Sequence, residues 1–245
     1  MDGSETTRRE GSGQSWRLSR VQEYLKQIVY GGNDGIVTTF SVVAGFAGAQ
    51  AGGVETVGGV AVLLFGLANL FSDGTAMGLG EFLSSRSERD VYTARRAAET
   101  RGIEDDPDVR RNALAALLRR HGLAAGDSRE ISTAMVRNPE FTADFLMRYE
   151  SGMASPDGDA PAARGLMTFL AFIVFGSAPL IPYFLLEPVP GTFRISVAAT
   201  ATALVLLGLL RWRVTDASLV RSVGETVLIG GVCAVIAYLV GTAFR

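Results

Sequence analysis

Acidic side chains in otherwise apolar stretches are the residues of this sequence that could do chemistry. Asp34 lies in a run of apolar and small residues from 31 to 51. Asp73 and Glu81 lie in a second such run, from 56 to 84. One carboxylate at the centre of a bilayer costs roughly 2.5–3.5 kcal/mol, so its presence there indicates a bound cation, a proton or a charged partner. The open alternatives are that Asp34 caps the first helix and that Glu81 reaches the membrane edge.

Helical spacing arranges the polar residues of the two runs into two faces. In the second run, polar side chains and one thioether recur every four residues and form a continuous stripe of Asn69, Asp73, Met77 and Glu81. In the first run, Asp34, Thr38 and Ser41 share one helix face. If the two faces meet, they form an oxygen-lined path containing one methionine. We interpret Asp34, Thr38, Ser41, Asn69 and Asp73 as residues that conduct an ion and couple it to protons.

The types of these side chains narrow the range of ions that the path could carry. Carboxylate and hydroxyl oxygens suit hard divalent cations such as Mn²⁺, whereas a thioether favours borderline ions such as Fe²⁺. The alternative for Met77 is apolar packing. A carboxylate in a low dielectric favours a neutralised form, so metal binding there displaces protons. The sequence therefore predicts a metal/proton exchanger with metal ligands at Asp34, Met77 and Glu81 and with no permanently bound cofactor.

Five stretches are long and apolar enough to cross a hydrocarbon core, which needs about 20 residues. They lie at 31–51, 56–84, 165–187, 193–210 and 223–244. We predict an all-α membrane protein with five transmembrane helices and a cytoplasmic helical domain inserted between the second and third. Pro179 and Pro182 should kink or break the third span. Gly66, Gly74 and Gly78 share a face of the second span and predict close helix packing, within the chain or across a dimer axis.

The segment 85–164 is too charged to enter lipid, because it holds 13 arginines and 14 acidic residues. Three helix starts are recognisable in it. Asp106-Pro107 and Asn138-Pro139 pair a capping residue with a proline at the first helical position. The run 127–130 resembles a capping box. We expect three or four helices and no strands in this domain.

Basic residues orient the chain. Lys and Arg are concentrated in residues 1–30, in 85–164 and in the turn at 211–221, and the short connections 52–55 and 188–192 carry none. The positive-inside rule therefore places the N-terminus and the 85–164 domain in the cytoplasm.

The predicted organisation follows from these spans and charges: 1–19 is a disordered cytoplasmic tail, 20–84 an amphipathic lead-in with two membrane helices, 85–164 the cytoplasmic domain, and 165–245 membrane helices three to five. The lead-in is typical of a surface helix or of an extension of the first span, and we favour the extension.

Several classes of function are excluded. Basic and acidic residues balance throughout, which gives no nucleic-acid footprint. Cys233 and His121 are each the only residue of their type, so cysteine-rich and histidine-based metal sites are not expected. No nucleophile–base pair or cofactor motif is present, and the protein is therefore not expected to be an enzyme.

Five segments together resemble the vacuolar iron transporter family. They are YGGNDGIVTTF at 30–40, DGTAMGLGE at 73–81, SSRSE at 84–88, FLMRYE at 145–150 and PLIPY at 179–183. The resemblance implies a five-span homodimer in the lipid bilayer that exchanges cytosolic Fe²⁺, and often Mn²⁺, for protons. It places Asp34 and Met77 on the ions' route through the dimer interface. It also implies a multi-pass protein of a cell inner membrane or a vacuole-type membrane.

The same resemblance matches Glu99, Met147 and Glu150 to metal-binding positions of the cytoplasmic domain, but this sequence departs from the family pattern. The family's further glutamates are replaced by Gly102, Arg110 and Ala113. An arginine repels a metal ion, so the domain is depleted as a metal site. The acidic residues at 104–106 and 108 either substitute partially or form a solvated loop, and the solvated loop is favoured.

The leading prediction is a proton-coupled exporter of divalent iron or manganese from the cytosol. The alternative is a non-transporting membrane sensor or scaffold with the same fold and a depleted metal-binding domain. Transport of another cation is a third possibility.

Overall fold

The computed structural model describes residues 23–50, 59–156, 158, 160–186, 190–215 and 217–243. These residues form α-helices and no strand, so the all-α class is confirmed for this part of the chain. The helices are α1 (Leu25–Gln50), α2 (Gly59–Asp105), α3 (Pro107–Arg120), α4 (Ala125–Met135), α5 (Pro139–Tyr149), α6 (Pro161–Gly176), α7 (Ile181–Leu185), α8 (Pro190–Val214) and α9 (Leu219–Ala243). The predicted tail 1–19 and the connection 52–55 lie outside the described residues.

Three of these helices, α2, α8 and α9, are long and apolar enough to cross a membrane. The predicted first and third spans, which correspond to α1 and to α6 with α7, do not meet that criterion within the described residues. Polar and charged side chains lower the hydropathy of α1, and α6 ends at Gly176 after 16 residues. The chain resumes a helix at Ile181, so the predicted break around Pro179 and Pro182 is confirmed. Five spans therefore remain a prediction.

The chain divides into two compact units, and the division falls within α2. Of the described residues, those up to 82 and from 162 form the membrane unit, and those from 83 to 161 form the helical unit. These limits lie close to the predicted limits 85 and 164 of the inserted domain. Its position in the cytoplasm stays a prediction.

The core of the membrane unit joins α1, the first part of α2 and α6. Its fully buried side chains are Phe40, Val43, Ala44, Val62, Leu70, Phe172 and Leu180. Phe172 is completely inaccessible to solvent and packs against residues of both α1 and α2. In a unit that lies in lipid, such side chains stabilise the structure through van der Waals packing, because lipid tails are as apolar as the core. This cluster fixes α1 beside α2 and thereby positions their polar faces.

Glycines permit close backbone contact between the membrane helices. A Cβ atom at Gly31 would lie 2.6 Å from the carbonyl oxygen of Thr168 in α6, and one at Gly35 would overlap the carbonyl oxygen of Phe172. Gly78 of α2 packs against Gly165 and Phe169 of α6 in the same way. The glycine face of the second predicted span is therefore used for packing within the chain, one of the two alternatives.

Substitution of Gly35 by alanine should destabilise the protein by about 1–3 kcal/mol, because the added methyl group overpacks a backbone contact. Gly45 on the same helix is the matched control, since a Cβ there has no neighbour within 4 Å. Melting temperatures of the detergent-solubilised variants measure the difference. Equal melting temperatures for Gly35→Ala and Gly45→Ala would contradict the α1–α6 packing.

Side-chain caps begin two of the three helices in the helical unit, as predicted. The Asp106 carboxylate accepts the backbone N–H of Val109 at 3.1 Å, and the Asn138 side chain accepts that of Phe141 at 3.3 Å. The start predicted at 127–130 is wrong, because α4 begins at Ala125. The Ser128 N–H already bonds to the carbonyl oxygen of Ala124, so the helix forms before Asp127 can cap it.

An arginine on α2 anchors α5 in the helical unit. The Arg96 guanidinium bonds to Asp144 at 3.0 Å and to Glu140 at 3.2 Å. The Tyr92 hydroxyl also donates to Asp144, at 3.4 Å. These donors, Arg96 above all, lower the pKa of the Asp144 carboxyl below its ordinary value of 3.8. Asp144 is therefore ionised at neutral pH and holds the two helices together.

Candidate functional site

The helices α1 and α2 run antiparallel, and two contacts define their register. The Gln27 amide donates to Glu81 at 2.8 Å. The rings of Phe46 and Phe65 lie 5.8 Å apart. Residue numbers rise along α1 as they fall along α2, so the stripe on α2 faces the polar face of α1. The same register places Asn69 near the level of Thr38 and Ser41.

The Asp34 carboxylate lies well inside a continuous helix. Because α1 begins at Leu25, Asp34 is not a helix cap. Asp34 and Asp73 are both partly buried, and among the described residues neither forms an ion pair with a lysine or arginine. Two carboxylates in this position repel each other unless protons or a cation neutralise them.

The hydroxyl groups of the predicted path point their protons at their own helix. Thr38 Oγ1 donates to the carbonyl oxygen of Asp34 and Ser41 Oγ to that of Val37, both at 2.8 Å. Each hydroxyl keeps its lone pairs, because donation uses only the proton. Thr38 and Ser41 therefore present oxygen acceptors, which suits a cation better than an anion.

Three side-chain amides beside this path have unused hydrogen-bonding atoms. Asn33 Oδ1, Asn69 Nδ2 and Gln27 Oε1 are buried without a partner among the described residues. A buried unsatisfied amide atom costs about 1–3 kcal/mol, so such a cluster needs an explanation. A cation in the path could bind the two amide oxygens, whereas the Asn69 Nδ2 group is a donor and needs an acceptor such as a water molecule. Asn69 belongs to the predicted stripe.

Gln27 was missed as a site residue by the sequence analysis. Its side chain is only 4 % exposed and holds the Glu81 carboxylate, which is partly buried. A signal was present, because Gln27 precedes Asp34 by seven residues and so lies on the same helix face. Glu81 is thus held at the α1–α2 contact.

Met77 packs against the apolar core of the membrane unit. Its side chain is partly buried, and it lies one turn from both Asp73 and Glu81 on α2. The packing explains the residue without a metal ion. A thioether at this position could also turn towards an ion beside Asp73, because methionine has three flexible bonds.

The helical unit does not assemble the residues predicted to bind metal there. Met147 is completely buried and Glu150 is exposed at the end of α5. Glu99 Oε2 lies 3.0 Å from Arg110 Nη1, off the ideal hydrogen-bond axis, and forms an ion pair with it. In the part of the chain that the structure describes, no three His, Cys, Asp or Glu residues are grouped to hold a metal.

Arg110 fills the space that Gly102 leaves open. A Cβ atom at position 102 would lie 2.8 Å from Arg110 Nη2, so the guanidinium and position 102 share one volume. The cation of Arg110 therefore sits beside Glu99 where the family resemblance implies a metal ion. The nearby acidic residues do not compensate, since Asp106 caps α3 and Asp108 pairs with Arg111 at 2.8 Å. The solvated-loop interpretation of 104–108 is the one these contacts favour.

Known proteins resemble this chain over most of its length. The sequence model of the VIT family matches residues 25–242. The vacuolar iron transporter 1 of Tulipa gesneriana is 28% identical over 223 residues, which cover 91% of this chain and 88% of that protein.

Two further relatives match a similar share of this chain. The vacuolar iron transporter 1 of Arabidopsis thaliana is 29% identical over 216 residues, covering 88% of this chain and 84% of the plant protein. The vacuolar iron transporter of Plasmodium falciparum is 27% identical over 233 residues, covering 91% and 83%. The match therefore includes both the membrane unit and the helical unit.

Proposed function

The chain belongs to the VIT family, whose members are transporters and not enzymes, and from this premise we propose that it exports divalent iron, manganese or both from the cytosol in exchange for protons. The names of its relatives support iron as the cargo. The observation that carries the proposal is that two carboxylates, Asp34 and Asp73, lie near one level of the α1–α2 contact and form no ion pair among the described residues.

The charges of the carboxylate pair set the ratio of protons to metal ions in the exchange. Together Asp34 and Asp73 carry two negative charges when ionised, which one divalent cation or two protons neutralise. The two occupants exclude each other because they compete for the same oxygens. The Thr38 hydroxyl, one turn from Asp34 on the same face of α1, would add an oxygen ligand for a hard or borderline cation. Exchange of one metal ion for two protons then follows from charge balance at this pair.

Export requires such coupling. Movement of a divalent ion outward against an inside-negative potential costs about 4.6 kcal/mol per 100 mV, since each charge contributes about 2.3. Two protons moving inward cancel this electrical cost. The exchange is then driven by the proton concentration difference, and the membrane potential has no direct effect on it.

We further propose a homodimer, with the N-terminus and the helical unit in the cytoplasm of a cell inner membrane or a vacuole-type membrane. The apolar side of α2 that faces away from the core supports an interface in the membrane. Its exposed side chains include Leu64, Phe71 and Leu79. The basic residues at 211–221 support the cytoplasmic side for the α8–α9 turn.

A sensor or scaffold is the second candidate function. The ion pair between Glu99 and Arg110 favours it, because the helical unit has lost the arrangement that the resemblance links to metal capture. This candidate predicts no ion flux.

Transport by the purified protein in liposomes decides between the two functions. With Fe²⁺ or Mn²⁺ on one side and an opposing pH gradient, an exporter should alkalinise the proton-rich compartment as metal moves. The flux should continue unchanged when valinomycin and potassium clamp the potential. Absence of flux for both metals, in liposomes shown to hold correctly folded protein, would leave the sensor or scaffold. Flux of a different cation in competition assays would establish the third possibility.

A further inference from the structure

Charge is unevenly distributed within the helical unit. The whole segment 85–164 is nearly neutral, but residues 107–137 hold six arginines and three acidic residues. The acidic excess lies on either side of that stretch. The basic excess belongs mainly to α3, because α4 holds one arginine, Arg129, beside Asp127 and Glu130. Neither the ion path nor the Arg96 network uses this region.

A cleft between α3 and α4 concentrates the basic side chains. Its volume is about 610 Å³, and three arginines line it: Arg111 and Arg119 from α3 and Arg129 from α4. The amide of Asn112 lines the same wall. Arg111 and Arg119 are eight residues apart, which places them on one face of α3. We call this feature the arginine cleft.

Two cations of the arginine cleft have no counter-ion. Arg111 pairs with Asp108, whereas Arg119 and Arg129 form no ion pair with any described residue. The acidic residues of α4, Asp127 and Glu130, do not line the cleft. The lining side chains therefore carry two positive charges without an ion-pair partner, beside the Arg111–Asp108 pair. A cleft with low-dielectric walls focuses the field of such charges on a ligand.

We propose that the arginine cleft is a binding site for a phosphate-bearing anion. Guanidinium groups bind phosphate oxygens through paired, charge-assisted hydrogen bonds. Two guanidinium groups without counter-ions on opposite walls match an anion that carries several phosphate oxygens. The volume suits a molecule of that size, since small-ligand sites occupy roughly 300–1,000 Å³. The ligand is either a soluble phosphate compound or the headgroup of an anionic phospholipid.

Titration calorimetry of the full-length protein in detergent, with sodium tripolyphosphate as the probe, tests the site. Wild type should bind saturably, and Arg119→Gln with Arg129→Gln should weaken binding by about tenfold or more. The charge-matched control combines Arg120→Gln with Arg148→Gln, both exposed and outside the cleft. It should change binding by less than about twofold, because these two side chains do not line the cleft and their exposed charges are screened by salt.

A double lysine variant distinguishes specific recognition of phosphate from general electrostatic attraction. Arg119→Lys with Arg129→Lys keeps both charges but loses the planar donor pairs, so its affinity should fall between wild type and the glutamine variant. Thermal melting confirms that each variant is folded. No saturable binding by wild type, or equal weakening in the control variant, would overturn the proposal.

Nanodiscs distinguish the two sources of phosphate. In discs of phosphatidylcholine with phosphatidylglycerol, a lipid headgroup in the cleft should weaken tripolyphosphate binding by competition. Discs carrying the same charge as oleate supply the control, because oleate has no phosphate. Weakening with phosphatidylglycerol beyond that with oleate supports a lipid headgroup. Equal affinity in both discs, with the arginine dependence retained, supports a soluble ligand.

Discussion

Asp34→Asn should lower metal-driven proton movement in liposomes by roughly a hundredfold, which corresponds to the loss of one charge-assisted contact of about 2.7 kcal/mol. Asparagine has nearly the size of aspartate, so α1 and its contacts with α2 and α6 should persist. The variant leaves Asp73 as the only carboxylate of the pair. One negative charge balances neither a divalent cation nor two protons, so the exchange cycle slows.

The measurement is the rate of pH change inside liposomes after addition of Fe²⁺ or Mn²⁺, normalised to the amount of inserted protein. Asp90→Asn serves as the matched control, because it is an exposed aspartate of α2 in the helical unit. It should retain the wild-type rate. A wild-type rate for Asp34→Asn would contradict the proposed path, even if the protein proves to be a transporter.

Asp73→Asn extends the test to the partner carboxylate. If the pair acts together, this variant should lose exchange to a similar degree, and the double variant should be no worse than either single one. Such non-additivity is expected for groups that share one function. A near-normal rate for Asp73→Asn would reduce the path to Asp34 alone and exclude charge balance at the pair.

The helical faces of the path could be predicted from the sequence because helix periodicity is local. Spacing of three and four residues places Asp73 beside Met77 and Asp34 beside Thr38 in any α-helix. Two of the helix starts were predictable for the same reason, since Asp106 and Asn138 act on their own following turn. The start at Ala125 was not, because no side chain caps it and backbone hydrogen bonds set it.

Contacts between distant segments could not be predicted from spacing. The hydrogen bond from Gln27 to Glu81 joins residues far apart in the chain, and it depends on the α1–α2 register that the apolar core sets. The same holds for Arg110. An arginine at this position indicated the loss of a metal site. Only the structure shows that Arg110 pairs with Glu99 and occupies the space beside Gly102.

That arrangement predicts how a metal site could be rebuilt in the helical unit. Residues 99, 102 and 110 converge, because Arg110 contacts Glu99 and would contact a side chain at position 102. Gly102→Glu with Arg110→Glu would bring two further carboxylates next to Glu99. Three carboxylates repel one another without a cation, so the double variant should melt at a lower temperature than wild type in chelator.

Mn²⁺ should reverse this loss of stability, with a dissociation constant on the order of 10⁻⁵ M, similar to that of the weaker calcium-sensor sites built from carboxylates. At a hundredfold excess over that constant, binding adds about 2.7 kcal/mol to the free energy of unfolding. The measurements are calorimetry and melting curves on the full chain. Every variant also carries Asp34→Asn, which removes metal binding at the membrane path from the signal. Gly102→Glu alone should bind no metal, because Arg110 would pair with the new carboxylate. The control Gly126→Glu with Arg120→Glu makes the same change in charge at exposed positions and should not respond to Mn²⁺. A response of wild type equal to that of the double variant would show that Arg110 does not block the site.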